Sequence, residues 1–159
     1  MRIGVISDTH LIEPTPQLCA LQHTIFADVS MILHAGDLTE LAVLDAFSDK
    51  GVVAVHGNMC SAAVRHELPA ERVVEIGSYR IGLTHGWGYP FGVSKKVAAI
   101  FDSVDAIVYG HTHRAANRVR NGVLYFNPGA FHGAFPFFGK GSVGILTLGD
   151  TISGQIIRL

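Results

Sequence analysis

The most informative stretch of this sequence is Ala106-Ile107-Val108-Tyr109-Gly110-His111-Thr112-His113. Its first four residues are apolar and predict a buried strand, and two imidazoles separated by one residue follow that strand directly. Two upstream apolar runs end in the same way, the first in Asp8 and His10 and the second in Asp37. Because functional side chains of α/β proteins collect at the carboxyl ends of the strands, these segments predict a metal site at one edge of a sheet.

The segment before residue 60 predicts strands that alternate with helices. Strands are expected at residues 2–7, 30–34 and 52–56, and helices at residues 17–28 and 39–50, with Thr39 as the N-cap of the second helix. This rhythm is typical of parallel strands that are covered by helices.

The remainder of the chain predicts mainly antiparallel hairpins. Strands at 72–76 and 79–84 flank Gly77-Ser78, strands at 117–120 and 123–127 flank Asn121-Gly122, and strands at 142–148 and 151–159 flank Gly149-Asp150. Asn-Gly is among the strongest hairpin turns because both positions accept positive φ. A short helix is expected at residues 93–101 and a buried strand at 105–109. Together, the two halves predict a mixed β-sandwich with helices on its outside.

Composition narrows the class of protein. With 159 residues and 48% hydrophobic content, the chain is expected to form one domain, residues 1–159, with a sizeable core. No apolar run approaches the roughly 20 residues of a membrane helix. A net charge of -1 without a basic stripe disfavours sequence-specific or charge-driven nucleic-acid binding. Only two cysteines, Cys19 and Cys60, and a start without a signal-peptide pattern predict a cytoplasmic protein.

Seven side chains at or just after predicted strand ends could bind metal. They are Asp8, His10, Asp37, Asn58, His85, His111 and His113. All offer nitrogen or oxygen, which favours Mn, Fe, Co, Ni or Zn over zinc–thiolate or iron–sulfur sites. Seven ligands exceed one tetrahedral ion and suit two ions with a shared carboxylate. Taken singly, each has an ordinary explanation, such as a core position for His85 or a turn for Asn58, so the hypothesis depends on their ordered combination.

The order Asp-x-His, Gly-Asp, Gly-Asn, His-Gly and Gly-His-x-His resembles the calcineurin-like metallophosphoesterases, in particular their small single-domain bacterial and archaeal phosphodiesterases. The resemblance extends from Arg2 to the last hairpin. It implies an α/β fold, a four-layer α/β/β/α sandwich in which two mixed β-sheets are flanked by helices. It also implies a dinuclear, metal-dependent hydrolase, a phosphodiesterase in which a metal-bridging hydroxide attacks phosphorus in line with the leaving group.

The resemblance divides the seven candidates between two divalent metal ions. Asp8, His10 and His113 would hold the first ion, Asn58, His85 and His111 the second, and Asp37 would bridge both. Asp37, Asn58 and His111 would also act in catalysis. Manganese is the expected metal, with nickel, iron, cobalt and zinc as alternatives. The expected partner is a small phosphate-ester substrate, and a homodimer is the assembly to test for, since two-fold symmetry is the commonest.

One position departs from the family pattern. Many members have His after Gly-Asn to protonate the leaving group, but this chain has Met59, which cannot donate a proton. We therefore expect a preference for good leaving groups or another proton source, for which His132 is a candidate. Ala130 replaces a frequent Ser, which removes a phosphate contact. His34 and His56 either orient ligands or simply pack at strand ends.

Three further questions stay open at the level of sequence. The chain could be a non-catalytic scaffold, since a retromer subunit of similar fold serves mainly as a binding module. It could instead hydrolyse phosphomonoesters or nucleotides. The apolar loop Phe131–Phe138 could cover the core edge, line the substrate site or contact a partner.

Overall fold

The chain folds into two five-stranded sheets with short helices. The computed structural model describes residues 1–132 and 140–159, so most of the Phe131–Phe138 loop lies outside the described residues. The strands are β1 (Arg2–Ile6), β2 (Met31–His34), β3 (Gly51–Ala54), β4 (Glu71–Ile76), β5 (Tyr79–Thr84), β6 (Ala106–Val108), β7 (Ala116–Arg120), β8 (Val123–Asn127), β9 (Ser142–Leu148) and β10 (Ile152–Arg158). The α-helices are α1 (Pro16–Ala20), α2 (Ala62–Glu67) and α3 (Val93–Ala98), and 3₁₀ turns span Leu21–His23 and Leu41–Phe47.

The first sheet has the strand order β10-β9-β1-β2-β3. Its strands β1, β2 and β3 are parallel, as the alternating pattern predicted, and the hairpin β9–β10 adds to β1 in antiparallel fashion. The carboxyl ends of the three parallel strands therefore lie side by side at one edge.

The second sheet has the order β4-β5-β6-β8-β7. The two predicted hairpins, β4–β5 and β7–β8, are present. The expectation of a largely antiparallel second half was wrong at the centre of this sheet, where β5, β6 and β8 are parallel. The reason is topological: α3 returns the chain after β5, so that β6 enters in the same direction, as a parallel crossover requires. The ends of β5 and β6 thus meet at the same edge.

Alternating side chains sort the core into layers. Ile3 and Val5 of β1 pack with Ile81 and Leu83 of β5 in a buried cluster between the sheets. On the opposite face of the first sheet, the outer cluster includes Ile6, Ile32, Leu18, Phe26 and Phe47. On the outer face of the second sheet, Val93 and Val97 of α3 pack against Ile107. The order is helix, sheet, sheet, helix, which confirms the four-layer sandwich.

Phe126 ties the two sheets together. This fully buried ring of β8 lies against Gly144 of β9 and Gly154 of β10, where a Cβ added to Gly154 would be 2.5 Å from the ring. The sheets can approach closely here only because both positions lack side chains.

The first two helices differ from the prediction. The expected helix at residues 17–28 is only the five-residue α1, capped by Thr15, followed by a 3₁₀ turn. The expected helix at 39–50 is a 3₁₀ segment, and Thr39 is not its N-cap because Glu40 occupies that position. Thr39 has φ of 63°, and its carbonyl accepts a hydrogen bond from the Ser61 backbone N–H. The backbone of Thr39 thus connects its own loop to Ser61 and does not begin a helix.

Helix α2 was not predicted. Its N-cap is Ser61, whose hydroxyl accepts a hydrogen bond from the Val64 N–H, and this cap was a signal that the sequence did contain. Within the described residues, no helix is both long and apolar enough to cross a membrane.

Candidate metal centre

The seven predicted ligands lie in loops that follow five strands. Asp8 and His10 follow β1, Asp37 follows β2, Asn58 follows β3, His85 follows β5, and His111 and His113 follow β6. These strands end at one edge of the sandwich, and the structure brings their side chains together there. Both sheets contribute, the first sheet with four of the residues and the second with three.

The backbone at this edge is held in an unusual conformation. Five of the seven predicted ligands have positive φ, namely Asp8 (54°), His10 (49°), Asp37 (54°), His111 (66°) and His113 (55°). Such angles cost on the order of 1–3 kcal/mol at a residue other than glycine and persist where neighbours enforce them. Here the loops are tied together: the Asp8 N–H donates to the Gly36 carbonyl at 3.0 Å, and the His10 N–H donates to the Asp37 carbonyl at 2.9 Å.

Asp8, His10 and His113 form a first group of ligand atoms within 4.8 Å of one another. His113 Nε2 lies 3.1 Å from Asp8 Oδ1 and 3.3 Å from His10 Nε2. The other oxygen of Asp8, Oδ2, accepts hydrogen bonds from the Ser7 hydroxyl at 2.6 Å and the His111 N–H at 3.2 Å. Oδ1 is buried and has no hydrogen-bond partner among the described residues, so this oxygen remains available to a cation.

Asp8, Asp37 and His85 form a second group, and all three are buried. His85 Nε2 lies 3.1 Å from Asp37 Oδ2, while His85 Nδ1 contacts the Ala35 carbonyl at 2.8 Å. Because a carbonyl only accepts, Nδ1 carries a proton, so Nε2 is the nitrogen that could bind a cation beside the carboxylate. Asp37 Oδ1 accepts the Met59 N–H at 2.7 Å, which leaves Oδ2 as the oxygen that faces His85 Nε2.

His111 and Asn58 repeat this arrangement at the mouth of the site. His111 Nε2 lies 2.6 Å from the Gly88 carbonyl, so it carries the proton, and Nδ1 lies 3.0 Å from Asn58 Oδ1. Nδ1 therefore faces the side-chain amide of Asn58. The orienting role of the backbone carbonyl is the same as that found around metal-binding histidines in general.

These contacts fit a divalent cation. Buried polar atoms are normally hydrogen-bonded, yet Asp8 Oδ1 and His85 Nε2 are both buried and without such a partner in the described part of the chain. The donors are imidazole nitrogens and oxygens, the set that borderline divalent metals prefer. Asp8 belongs to both groups, whereas Asp37 belongs to one; the predicted division of ligands between two ions, with Asp37 as bridge, stays a prediction.

The charges of the carboxylates perturb the nearby rings. Contact with Asp8 raises the pKa of His113. Burial lowers the pKa of His85, but the proximity of Asp37 and Asp8 outweighs burial and leaves it raised. Burial alone would raise the pKa of Asp37, yet contact with His85 and the Met59 N–H leaves it lowered. The site thus attracts positive charge, as protons on the rings or as a cation between them.

A glycine makes the close approach possible. A Cβ at Gly57 would lie against Asp37 Oδ1 and 2.7 Å from His85 Cδ2. Packing against two candidate ligands therefore requires glycine at position 57.

Two supporting residues were missed or left undecided by the sequence. His34 is fully buried; its Nδ1 accepts the Gly36 N–H and its Nε2 lies 3.2 Å from the Thr9 hydroxyl. Burial lowers its pKa to about 4, so it joins the β1 and β2 loops as a neutral ring. Buried Asn127 was missed: its amide donates to the Gly110 carbonyl at 2.8 Å and holds the loop after β6. The sequence signal that could have identified Asn127 is the turn motif Asn127-Pro128-Gly129.

The two remaining histidines of interest lie outside both ligand groups. His132 is exposed, and its ring packs against Phe131 with centroids 4.6 Å apart. His56 is half-buried, with a buried Nδ1 that has no partner in the described residues.

Comparison with known proteins gives one consistent result. Residues 1–151 match the family described as the calcineurin-like phosphoesterase superfamily domain. A probable metallophosphoesterase of Methanothermobacter thermautotrophicus is 36% identical over 165 residues, covering 99% of this chain and 92% of the relative. The solved structure of an archaeal phosphodiesterase is similar, with a TM-score of 0.78, 27% identity and full coverage of both chains. Vps29 of Entamoeba histolytica in complex with zinc shares the fold, with a TM-score of 0.73, 23% identity and 99% coverage of each chain.

Proposed function

This chain belongs to the calcineurin-like phosphoesterase superfamily, and we propose that it is a phosphodiesterase that uses two divalent cations. Asp8, His10, Asp37, Asn58, His85, His111 and His113 would hold the cations. The observation that carries this proposal is the repeated contact of an imidazole nitrogen with an oxygen, at 3.1, 3.1 and 3.0 Å, with no other partner for Asp8 Oδ1 and His85 Nε2 in the described residues.

The site has a buried floor and an accessible rim. Asp8, Asp37 and His85 are buried, whereas His10 and Asn58 are exposed. The floor would hold the charge of the cations in a fixed position, and the rim would meet the substrate. When bound, such cations supply a nucleophile from water at neutral pH and offset the charge of the phosphate.

The residues of the chain would then position the phosphate and the cations. Asp37 is fixed by the Met59 N–H, and His111 is fixed by the Gly88 carbonyl. Asn58, exposed beside His111, can turn its amide N–H groups toward a phosphate oxygen and stabilise charge that develops there. The overall charge of -1 gives no general attraction for phosphate, so the cations would provide it.

Met59 bears on the choice of substrate. Its side chain is 58% exposed and carries no group that could protonate a departing alkoxide, so esters with acidic leaving groups should react best. Rates for a series of aryl methyl phosphodiesters would test this. A steep fall in rate as the leaving-group pKa rises agrees with the proposal, whereas a flat dependence reveals another acid.

The activity itself is tested with a chromogenic phosphodiester in the presence of Mn²⁺, Ni²⁺, Co²⁺, Fe²⁺ or Zn²⁺. We expect metal-dependent hydrolysis that Asp37→Ala and His85→Ala each reduce at least 100-fold. His66→Ala, which removes an exposed imidazole of α2, is the matched control and should retain activity. Full activity in both site variants contradicts the proposal.

Two alternatives give different results in the same experiments. A binding scaffold is favoured by the fold shared with Vps29, and it would show no metal-dependent hydrolysis of any ester. A phosphomonoesterase or nucleotidase would prefer p-nitrophenyl phosphate over its diester. Metal content alone does not separate the scaffold from the two enzymes, because the Vps29 structure itself holds zinc, so metal-dependent hydrolysis is the measurement that does.

A further inference from the structure

A cavity opens directly beside the candidate metal centre. It has a volume of about 250 Å³, and its walls include Asn58 and His85 together with Arg65, Glu71 and Trp87. Sites for whole drug-sized ligands measure roughly 300–1,000 Å³, so this cavity fits one part of a substrate. Its contact with two candidate ligands means that a group bound there could remain attached to a phosphate at the metals.

Trp87 is an aromatic residue that lines this cavity. Its side chain is 50% exposed, although large aromatic residues usually gain from burial. The backbone that carries it is anchored by two hydrogen bonds: Lys96 Nζ donates to the Trp87 carbonyl at 3.2 Å, and His111 Nε2 donates to the Gly88 carbonyl at 2.6 Å. The main chain at Trp87 is therefore held relative to the metal centre.

Arg65 and Glu71 add a donor and an acceptor. Both line the cavity and both are exposed. Neither forms an ion pair with any residue in 1–132 or 140–159. Arg65 offers several N–H donors and can also stack on flat rings, while Glu71 only accepts. A ligand with a flat ring and both donors and acceptors at its edge would match all three side chains.

We propose that this cavity binds the base of a nucleotide-type phosphodiester, stacked on Trp87 with its edge toward Arg65 and Glu71. The proposal deepens the function given above and rests on it. Nucleobases combine a π face with polar edges, and proteins bind unpaired bases by stacking and edge hydrogen bonds. The chain lacks the basic stripe that a nucleic-acid polymer needs, so the substrate is a small nucleotide ester.

Kinetics with two substrates isolates the base. Thymidine 5′-(p-nitrophenyl phosphate) and methyl p-nitrophenyl phosphate share the leaving group, so any effect through p-nitrophenol appears in both. Trp87→Ala should raise KM about tenfold for the thymidine ester, in keeping with the strength of base stacking, and should leave the methyl ester nearly unchanged. Trp87→Phe should recover most of the loss. Tyr89→Ala, which removes an exposed ring of the same loop outside the cavity walls, is the control.

A binding measurement separates this proposal from the failure of the proposed function. Trp87 is the only tryptophan of the chain, so intrinsic fluorescence reports on the cavity without catalysis. In the metal-loaded protein, the four common nucleoside 5′-monophosphates are titrated against ribose 5-phosphate, which has no base. At least one nucleotide should quench the fluorescence saturably, ribose 5-phosphate should not, and Arg65→Met should weaken binding. Equal responses to both ligands, or none, overturn the base site even if diesters are hydrolysed.

Discussion

The buried imidazole of His34 gives folding stability a specific dependence on pH. Burial lowers the pKa of this ring from 6.5 to about 4, whereas the unfolded chain titrates near the ordinary value of ~6.5. Between these two values the unfolded state binds more protons than the folded state, so the free energy of unfolding rises with pH. The loss of stability caused by His34 is absent above pH ~6.5 and grows as the pH falls toward ~4.

The size of this effect follows from the two pKa values. A difference of roughly 2.5 units at about 1.36 kcal/mol per unit corresponds to about 3.4 kcal/mol once the pH lies below ~4 and the ring is protonated in both the folded and the unfolded state. At pH 5 the loss of stability is already about 2 kcal/mol. His34→Asn removes the titrating ring, while the amide oxygen can still accept the hydrogen bond that His34 Nδ1 receives from the Gly36 N–H.

Urea unfolding at pH 7 and pH 5 measures the effect. The protein is first treated with chelator, because metal binding itself depends on protonation of the ligands. Between pH 7 and pH 5 the wild type should lose about 2 kcal/mol more than His34→Asn. His66→Asn, which replaces an exposed ring in α2, should behave like the wild type. Equal losses in the wild type and His34→Asn would refute the reasoning that links burial of His34 to the pH dependence.

Three further predictions concern the site. Gly57→Ala places a Cβ against Asp37 and 2.7 Å from His85, so the phosphodiesterase rate should fall at least 100-fold. The control Gly51→Ala, whose Cβ meets no atom within 4 Å, should retain the rate. Equal activity in both variants contradicts the packing argument. Mn²⁺ at about 100 times its Kd should raise the free energy of unfolding by about 2.7 kcal/mol in thermal or urea unfolding, and no change with any divalent metal would contradict a cation site. Asn127→Ala removes the side-chain hydrogen bonds to the Gly110 carbonyl and the Thr112 hydroxyl. The Gly110 carbonyl still accepts the Thr112 N–H, so urea unfolding should show a loss of about 1 kcal/mol, and no loss would contradict the role of Asn127 in holding the loop.

The strands and their ends could be predicted from the sequence because their signals are local. The apolar run before Gly110 and the turn Asn121-Gly122 each specify structure within a few residues, and β5, β8 and β9 have the predicted bounds. The position of the candidate site followed from the strand ends alone. Metal-capable residue types after five strands were enough to anticipate which side chains the fold brings together.

The features that the sequence could not give depend on distant contacts. The parallel centre of the second sheet arises from pairing of β6 with β8, which no local pattern specifies. The periodicity at residues 17–28 predicted a long helix, but the chain bends there so that Phe26 can pack beside β1 on the outer face of the first sheet. The cavity with Trp87 also became visible only in three dimensions, because Arg65, Glu71 and Trp87 come from separate elements.

The division of the candidate ligands between the two sheets has a mechanical consequence. Each ligand group combines residues from both sheets, as Asp8 with His113 shows, so bound cations would link the two sheets directly. Any sliding of one sheet over the other changes the ligand distances. Phe126 packs against Gly144 and Gly154, and the strands β8 and β9 that meet there pair directly with β6 and β1. This contact therefore resists sliding of the sheets and helps to keep the ligand distances at a metal centre that Phe126 does not touch.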